Sequence, residues 1–362
     1  MKITLVTLDI TLKGGIERVV SILASYFYQQ EIHVKIVSVF KSNKNISYSL
    51  PDNIEVEYLC DSEYKNETLS SRLKNYLVLI MLILKLKIRN DEIVISTLTN
   101  ISCILGFRKI FDRKIKFIAA EHSQYYAHGK LVRFLRKVLF NSCEYVVLLT
   151  KQDKEIYNSF LNKSKVYLIR NPVSYIPIFS SSLNYKRLVS IGRLEPVKGY
   201  QDLIPALSQF FKVHNDWKLD IYGEGSLRGR LEKIIIENDL ENHVFLRGFH
   251  NDLQAEIMNA SIYLCYSETE AFPMSFLEAF SVGLPIISND CPFGPGEIID
   301  NRINGFLVKD KYEFTKQLYS LVEDEHVYSN MSRAALSKCD SYSINEIGPI
   351  WIELIGNCQR KR

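Results

Sequence analysis

Residues 264–299 read LCYSETEAFPMSFLEAFSVGLPIISNDCPFGPGEII. The apolar run Ser261–Tyr266 predicts a strand that ends in a polar turn. A helix is expected to open near Pro273 and to stop at Gly283, where the chain meets a residue free to turn left-handed. A second apolar run, Leu284–Ser288, breaks on Asn289-Asp290-Cys291-Pro292. Strand, helix and strand at this spacing are the unit of a parallel sheet. Glu270 falls in the turn. Glu278, eight positions on, falls about one and a half turns into the helix. An acid near a helix start is favoured in any protein by the helix dipole, so either carboxylate alone reads as a solvated charge. Two carboxylates at the mouth of one strand–helix unit suit a polyhydroxylated ligand. The unpaired N–H groups of the helix start suit a phosphate.

The E-x7-E pair and the A-F-S-V-G-L-P-I-I segment behind it resemble the donor site of retaining glycosyltransferases of the GT-B fold, family 4, a group rich in bacterial cell-surface glycan enzymes. The wording of Cys291–Ile298 is similar to that of capsule, exopolysaccharide and O-antigen enzymes. One departure stands out: Ala271 occupies a position where the family usually has Gly. The turn must hold without a left-handed residue there, or Ala271 bears strain.

Three further segments fit the same resemblance. Lys13-Gly14-Gly15-Ile16-Glu17-Arg18 follows the first strand. Two glycines there are explained as well by a tight strand-to-helix turn, but the wording matches the family, which implies that Gly14 and Gly15 touch diphosphate and acceptor. Arg18, one helical turn in, reads as a structural salt bridge. Ser190–Gly199 carries two cations five positions apart after a strand. Two loop cations are ordinarily solvated; G-R-L-x-x-x-K-G, however, is a family signature. It implies that Arg193 and Lys198 meet the charge that builds on a departing diphosphate. Arginine can grip phosphate oxygens bidentately, while lysine supplies a point charge. Ala120-Glu121-His122-Ser123 ends a first-half strand, and the family places a His there against the donor sugar. The resemblance also implies that Gly223 lies below the nucleotide, that Arg247 and Gly248 lie near the base, that Met274 and Ser275 offer backbone N–H groups to phosphate, and that Glu278 holds the ribose. Pro273 has no N–H to offer.

With 362 residues, 47% hydrophobic and 24% charged, the chain has the composition of a globular protein with two cores. Met1–Thr7 reads as a strand and not as a secretory signal. The longest apolar stretch, Tyr76–Leu84, is about half of what a membrane span needs. Seven cysteines without C-x-x-C spacing read as reduced thiols. The net charge of +4 is unevenly spread. Residues 1–172 hold 26 Lys and Arg against 16 Asp and Glu, and the rest hold 19 against 25. The first half therefore faces something anionic, nucleic acid or the inner leaflet of a membrane. Lys130–Phe140 reads as a basic amphipathic helix with Lys130, Arg133 and Lys137 on one face and Arg136 near it, and Leu131, Leu135, Val138 and Leu139 on the other.

The expected fold class is α/β, with two Rossmann-like domains facing a central cleft as in GT-B. Strands are expected at Lys2–Thr7, Val34–Phe40, Glu92–Ser96, Lys116–Ala120, Tyr145–Leu149 and Val166–Ile169, with helices at Ile16–Gln30, Arg72–Arg89 and Leu131–Phe140. The second half repeats the alternation, with a helix at Tyr200–Val213 and another at Ser226–Asn238. Residues 1–173 form the expected acceptor-side domain, 174–185 the linker and 186–343 the nucleotide-sugar domain. Residues 344–362 form a helix that crosses back to the first domain.

What the resemblance implies is transfer of a sugar from a nucleotide-sugar donor, with a lean toward UDP-hexose or UDP-N-acetylhexosamine, to a glycan or lipid-linked acceptor. Anomeric configuration is retained, and Glu270 stabilises an oxocarbenium-like state. No Asp-x-Asp occurs, so no metal or other cofactor is expected; Arg193, Lys198 and helix amides neutralise the diphosphate instead. The protein is expected in the cytoplasm, peripheral on the inner face of the membrane through its basic first domain, with no nucleic-acid partner. A nucleotide-sugar 2-epimerase is the alternative on a related fold, although it lacks the combination of both signatures. A nicotinamide dehydrogenase needs G-x-G-x-x-G after the first strand, and Gly14-Gly15 lacks the third glycine.

Overall fold

The computed structural model describes residues 2–64, 69–173, 175, 177–179, 181–250 and 252–360, with side chains in 69–72 left aside. Residues 174, 176 and 180 of the expected linker, and the last two of the expected terminal helix, lie outside that description. Two compact units divide the chain: Met1–Pro172 with Ile344–Arg362, and Val173–Ser343.

The first unit runs β1 (Lys2–Thr7), α1 (Gly15–Gln29), β2 (His33–Ser38), β3 (Glu55–Tyr58), α2 (Leu69–Lys85), β4 (Glu92–Ser96), α3 (Thr99–Phe111), β5 (Lys116–Ala120), α4 (Lys130–Leu139), β6 (Tyr145–Leu148), α5 (Lys151–Asn158) and β7 (Val166–Leu168). Its strands are ordered β3-β2-β1-β4-β5-β6-β7, all parallel. The inner strands are apolar runs because helices cover both faces of the sheet. β4 and β6 are buried along their whole length.

The second unit runs β8 (Arg187–Ile191), α6 (Tyr200–Ala206), α7 (Ser208–Val213), β9 (Lys218–Tyr222), α8 (Arg228–Glu237), β10 (Val244–Gly248), α9 (Leu253–Ile257), β11 (Ile262–Cys265), α10 (Met274–Ser281), β12 (Ile286–Asn289), α11 (Pro295–Ile298), β13 (Gly305–Val308), α12 (Lys311–Glu323) and α13 (Glu325–Asp340). Its strands are ordered β10-β9-β8-β11-β12-β13, again all parallel. The last helix, α14 (Ile344–Arg360), belongs to the first unit and packs on α1. Two doubly wound α/β units are thus present.

Several elements differ from expectation. Where one helix was expected over Tyr200–Val213 there are two, Tyr200–Ala206 and Ser208–Val213, with Pro205 in the last turn of the first. β3 is a four-residue edge strand of half-buried residues, too short and polar to announce itself. α3 carries no amphipathic signal in the sequence because its outward side is apolar too, which blurs the period.

On α4 Lys130 and Lys137 are exposed as expected, but the places of Arg136 and of two apolar residues are corrected. Arg136 is fully buried, its Nη2 3.0 Å from Glu121 Oε2 and 2.7 Å from Thr99 Oγ1, while Nη1 donates to the Tyr125 carbonyl at 3.0 Å. Leu131 and Val138, expected inward, are exposed together with Phe134. An internal carboxylate needs a partner, and Arg136 supplies it; the helix is thereby rotated so that apolar residues face out.

Candidate functional site

In a doubly wound sheet the loops at the carboxyl ends of the strands meet a crevice where the strand order reverses. In the second unit that point lies between β8 and β11. The loop after β8 holds Arg193 and Lys198, and the loop after β11 holds Glu270. Neighbouring strands therefore bring together side chains 72 positions apart. Lys198 Nζ lies 2.5 Å from Glu270 Oε1, which also accepts from Ser267 Oγ at 2.8 Å. Both members of the pair are mostly buried.

Hydrogen bonds to the backbone tie these loops to each other and to the end of β12. Glu268 N–H donates to the Val197 carbonyl at 2.8 Å, and Asn289 Nδ2 to the Ser267 carbonyl at 2.6 Å. Gly199, next to Lys198, has φ +68°, and a Cβ there would stand 2.0 Å from the Tyr266 carbonyl oxygen. Only glycine fits such a left-handed, crowded position. Gly223 (φ +145°) similarly abuts the Gly192 carbonyl, so the glycines at 199 and 223 lock the loop that carries both cations.

Arg193 is exposed, and its side chain makes no hydrogen bond or ion pair among the described residues. It is thus available to an incoming anion. Glu195 accepts from Ser226 N–H and Oγ, and these hydrogen bonds, with a smaller contribution from the Arg193 charge, hold its carboxyl below the usual range.

α10 starts four residues after Glu270. Pro273 is its N-cap and Met274 its first residue, so the Met274 and Ser275 amides lie in the unpaired first turn. Ser275 turns its hydroxyl to Tyr263, leaving its backbone amide as the group a ligand can use. Glu278 is buried on the helix. Ala271 is absent from the positive-φ residues, so the turn holds without strain at that position. The left-handed residue nearby is Phe293, with φ +76°. Phe293 bridges to Glu270, and Gly294 N–H donates to the Glu270 carbonyl at 2.9 Å. A left-handed Phe is uncommon and persists only where its surroundings over-determine it.

Gly248 (φ +76°) closes β10, its carbonyl accepting from Gly223 N–H at 2.8 Å. The Arg247 guanidinium is engaged elsewhere, with Nε on Asp220 and its plane 4.6 Å from the Phe245 ring centroid. A structural role fits Arg247 better than the base contact expected of it.

The first unit carries the remaining expected residues. Gly14 caps α1 and Gly15 opens it. The Gly14 amide hydrogen-bonds to the carboxyl of Glu17, which occupies part of the helix start that was expected to meet phosphate. Glu17 is buried, and burial raises its pKa to about 7, with a smaller push from Asp9. Arg18 stacks on Tyr48, 4.9 Å from the ring centroid. His122 follows β5. Burial holds it neutral, with a pKa lowered to about 4, against a hydrogen bond to the Asn171 side chain that favours the cation. His122 Nδ1 is buried with no protein partner among the described residues. An apolar pocket of about 100 Å³ lies in this unit between α2, the start of α3 and the ends of β1 and β2, lined by Leu8, Phe40, Leu79, Leu98 and Ile101 with Asn75 and Asn100.

Four residues with roles in this geometry had no signal of their own in the sequence. Phe293 and Asn171 act through neighbours that only the fold supplies, whereas Ser267 and Glu17 act on residues three positions away in the chain. Ser267, three positions before Glu270 in a turn, had the most legible place. Among the described residues no three His, Cys, Asp or Glu cluster as metal ligands.

Residues 176–338 match the family model of glycosyl transferases group 1. An uncharacterised glycosyltransferase of Haemophilus influenzae is 26% identical over 97% of this chain and 98% of its own length. A Campylobacter jejuni α-1,4-N-acetyl-D-galactosaminyltransferase is 28% identical over 98% of both chains, and its acceptor is a GalNAc-GalNAc-diNAcBac glycan on undecaprenyl diphosphate. The Staphylococcus aureus enzyme TarM, crystallised with fondaparinux, α-GlcNAc-glycerol and UDP, superposes with a TM-score of 0.79 over 98% of this chain and 99% of its own, at 16% identity. The last likeness speaks for the fold, and the sequence relatives are transferases, which leaves the epimerase alternative without support.

Proposed function

We propose that this chain, a glycosyltransferase of the GT-B fold, is a retaining family 4 enzyme that moves a hexose or N-acetylhexosamine from a UDP-sugar to a hydroxyl of a lipid-linked or oligosaccharide acceptor in cell-surface polysaccharide synthesis, of the capsule, exopolysaccharide or lipopolysaccharide kind. The observation that carries this reading is the Lys198–Glu270 pair on adjacent loops of the second unit, with Arg193 exposed on the same loop as Lys198.

Diphosphate departure adds negative charge, and fixed cations aimed at that charge lower the barrier. Arg193 grips the phosphate oxygens, Lys198 adds a point charge, and the Met274 and Ser275 amides complete the cradle. Glu270 then faces the sugar and stabilises positive charge building at the anomeric carbon. The acceptor hydroxyl enters on the face the diphosphate leaves, and a diphosphate oxygen takes its proton. No side chain is required as nucleophile. Glu278 holds the ribose, and His122, neutral and with Nδ1 unpartnered, accepts a hydrogen bond from a donor-sugar hydroxyl. Because two cations and backbone amides neutralise the diphosphate, the reaction is read as metal-independent.

The undecaprenyl-linked acceptor of the Campylobacter relative and the apolar pocket of the first unit both support an acceptor with a hydrocarbon portion. Such an acceptor places the enzyme in the cytoplasm, peripheral on the inner face of the membrane. No helix among the described residues is long and apolar enough to cross it.

The test is incubation of the purified chain with UDP-glucose, UDP-galactose and their N-acetyl counterparts, scored by release of UDP with and without a polyprenyl-diphosphate-linked acceptor. Release that requires acceptor and survives excess EDTA supports the reading. Release of UDP from none of these donors overturns the UDP assignment, and loss in EDTA restored by Mg²⁺ overturns metal independence.

A further inference from the structure

Three helices of the first unit, α2, α3 and α4, lie side by side, α3 touching both of the others. Each presents an outward apolar stripe at helical spacing. On α2 the stripe includes Leu73 and Leu77, on α3 Phe107 and Phe111, and on α4 Leu131 and Phe134. Leu73, Leu77, Leu131 and Phe134 are each more than 60% exposed, and Phe111 is 77% exposed. A surface helix ordinarily keeps its outer side polar, and a contiguous apolar surface of this kind marks an interaction site.

The charge on the same layer is one-sided. The helices contain nine Lys and Arg and no Asp or Glu. Three of these cations are spent inward. Arg108 donates to the Ile83 and Leu86 carbonyls, Lys109 pairs with Glu144, and Arg136 pairs with Glu121. Lys74, Lys85, Lys130 and Lys137 are exposed around the apolar stripes. A second copy of the chain would set like charges against each other. An anionic bilayer offers both what the stripes and what the lysines need: hydrocarbon beneath a negatively charged surface.

We propose that the outward face of α2, α3 and α4 docks on an anionic membrane, with the apolar stripes entering the interface and the lysines at its phosphates. The inference rests on the reading of a lipid-linked acceptor and deepens it by naming the surface and the mode of contact. It also replaces the electrostatic strip expected on α4 with insertion of apolar side chains.

The experiment uses the full chain, vesicles of phosphatidylcholine alone or with about one quarter phosphatidylglycerol, and neither donor nor acceptor. Sedimentation should show binding that requires phosphatidylglycerol and falls at least tenfold in the Leu77→Gln/Phe107→Gln/Phe134→Gln variant, whose thermal unfolding should match the parent. In a separate Phe134→Trp variant, emission should shift to the blue on anionic vesicles and be quenched by brominated lipid. This readout stands even if the triple variant folds poorly. No binding at low salt, equal binding by the triple variant, or binding without shift or quenching overturns the proposal, as does lipid-free self-association that the triple variant abolishes. Because no sugar transfer is measured, a chain that docks without transferring leaves this inference standing, and one that transfers without docking refutes it alone.

Discussion

Lys198 and Glu270 form an ion pair across two loops, Nζ to Oε1 at 2.5 Å, with Ser267 as the third member. The two groups that the proposed reaction assigns to opposite charges neutralise each other when no substrate is bound. In the proposed reaction an arriving diphosphate would draw Lys198 toward phosphate and free Glu270 to face the sugar. The pair should therefore behave as a unit. Glu270→Gln and Lys198→Ala should each cripple turnover, and the double variant should lose little more than the worse single one. A coupling energy of about 1 kcal/mol or more from the rate constants is the expected outcome, since directly contacting residues are seldom additive. Independent losses that simply multiply would separate the two roles.

Arg193 makes no side-chain hydrogen bond or ion pair among the described residues, so Arg193→Ala should leave the melting temperature unchanged. It should still cost about 2–4 kcal/mol of transition-state stabilisation, the range for one preorganised charge contact. The loss should appear in kcat. A change confined to KM would mean that Arg193 binds ground state and transition state equally.

Gly199 is where the Lys198 loop can be displaced without touching a charge. An added methyl would press on the Tyr266 carbonyl in a left-handed backbone. Gly199→Ala should lower stability by about 1–3 kcal/mol, as backbone strain of this kind does, and should lower turnover further by moving Lys198. Denaturant unfolding and steady-state kinetics on the same preparation would check both. A variant with parental kinetics would show that the loop position is not critical.

The alternation of strands and helices was legible because parallel strands covered on both faces are apolar runs, as β4 and β6 are. Arg193 and Lys198 could be put on one loop because they stand so close in the chain. The contact of Lys198 with Glu270 could not be read, since it depends on β8 lying beside β11. The inward turn of Arg136 was hidden for a similar reason: its partner Glu121 follows β5, and helical periodicity on α4 counts any arginine as outward. Phe293 illustrates a third limit, because a left-handed aromatic breaks the rule that would have found it.

His122 is neutral through burial, and Asn171 is the group that fixes it. Activity should be insensitive to His122 titration from about pH 6 upward, well above its pKa of about 4. Asn171→Asp places a carboxylate against the ring, which favours the cation and raises the His122 pKa from about 4 toward the neutral range. Turnover of that variant should then fall as pH drops through the new value, while the parent stays flat. Nitrogen chemical shifts of the imidazole would report the charge directly. A flat profile in the Asn171→Asp variant despite a protonated ring would show that neutrality of His122 does not matter.

Glu17 gives the first unit a stability that depends on pH in an unusual direction. Its pKa is about 7 in the folded chain and about 4.5 when exposed. Between those values the folded state keeps a proton that the unfolded state has lost. Stability from this group is therefore complete below about pH 4.5 and declines as pH rises through 7. At pH 8 a buried carboxylate must be held charged beside Asp9, at a cost of up to about 3 kcal/mol. Glu17→Gln keeps an oxygen for the Gly14 amide and removes the charge. Its melting temperature should equal the parent's near pH 4.5 and exceed it at about pH 8. Equal melting at both pH values would mean that Glu17 ionises without penalty. The variant also separates two uses of the α1 start: a side chain that only caps the helix leaves the KM for donor untouched, whereas one competing with phosphate for the Gly14 amide alters it.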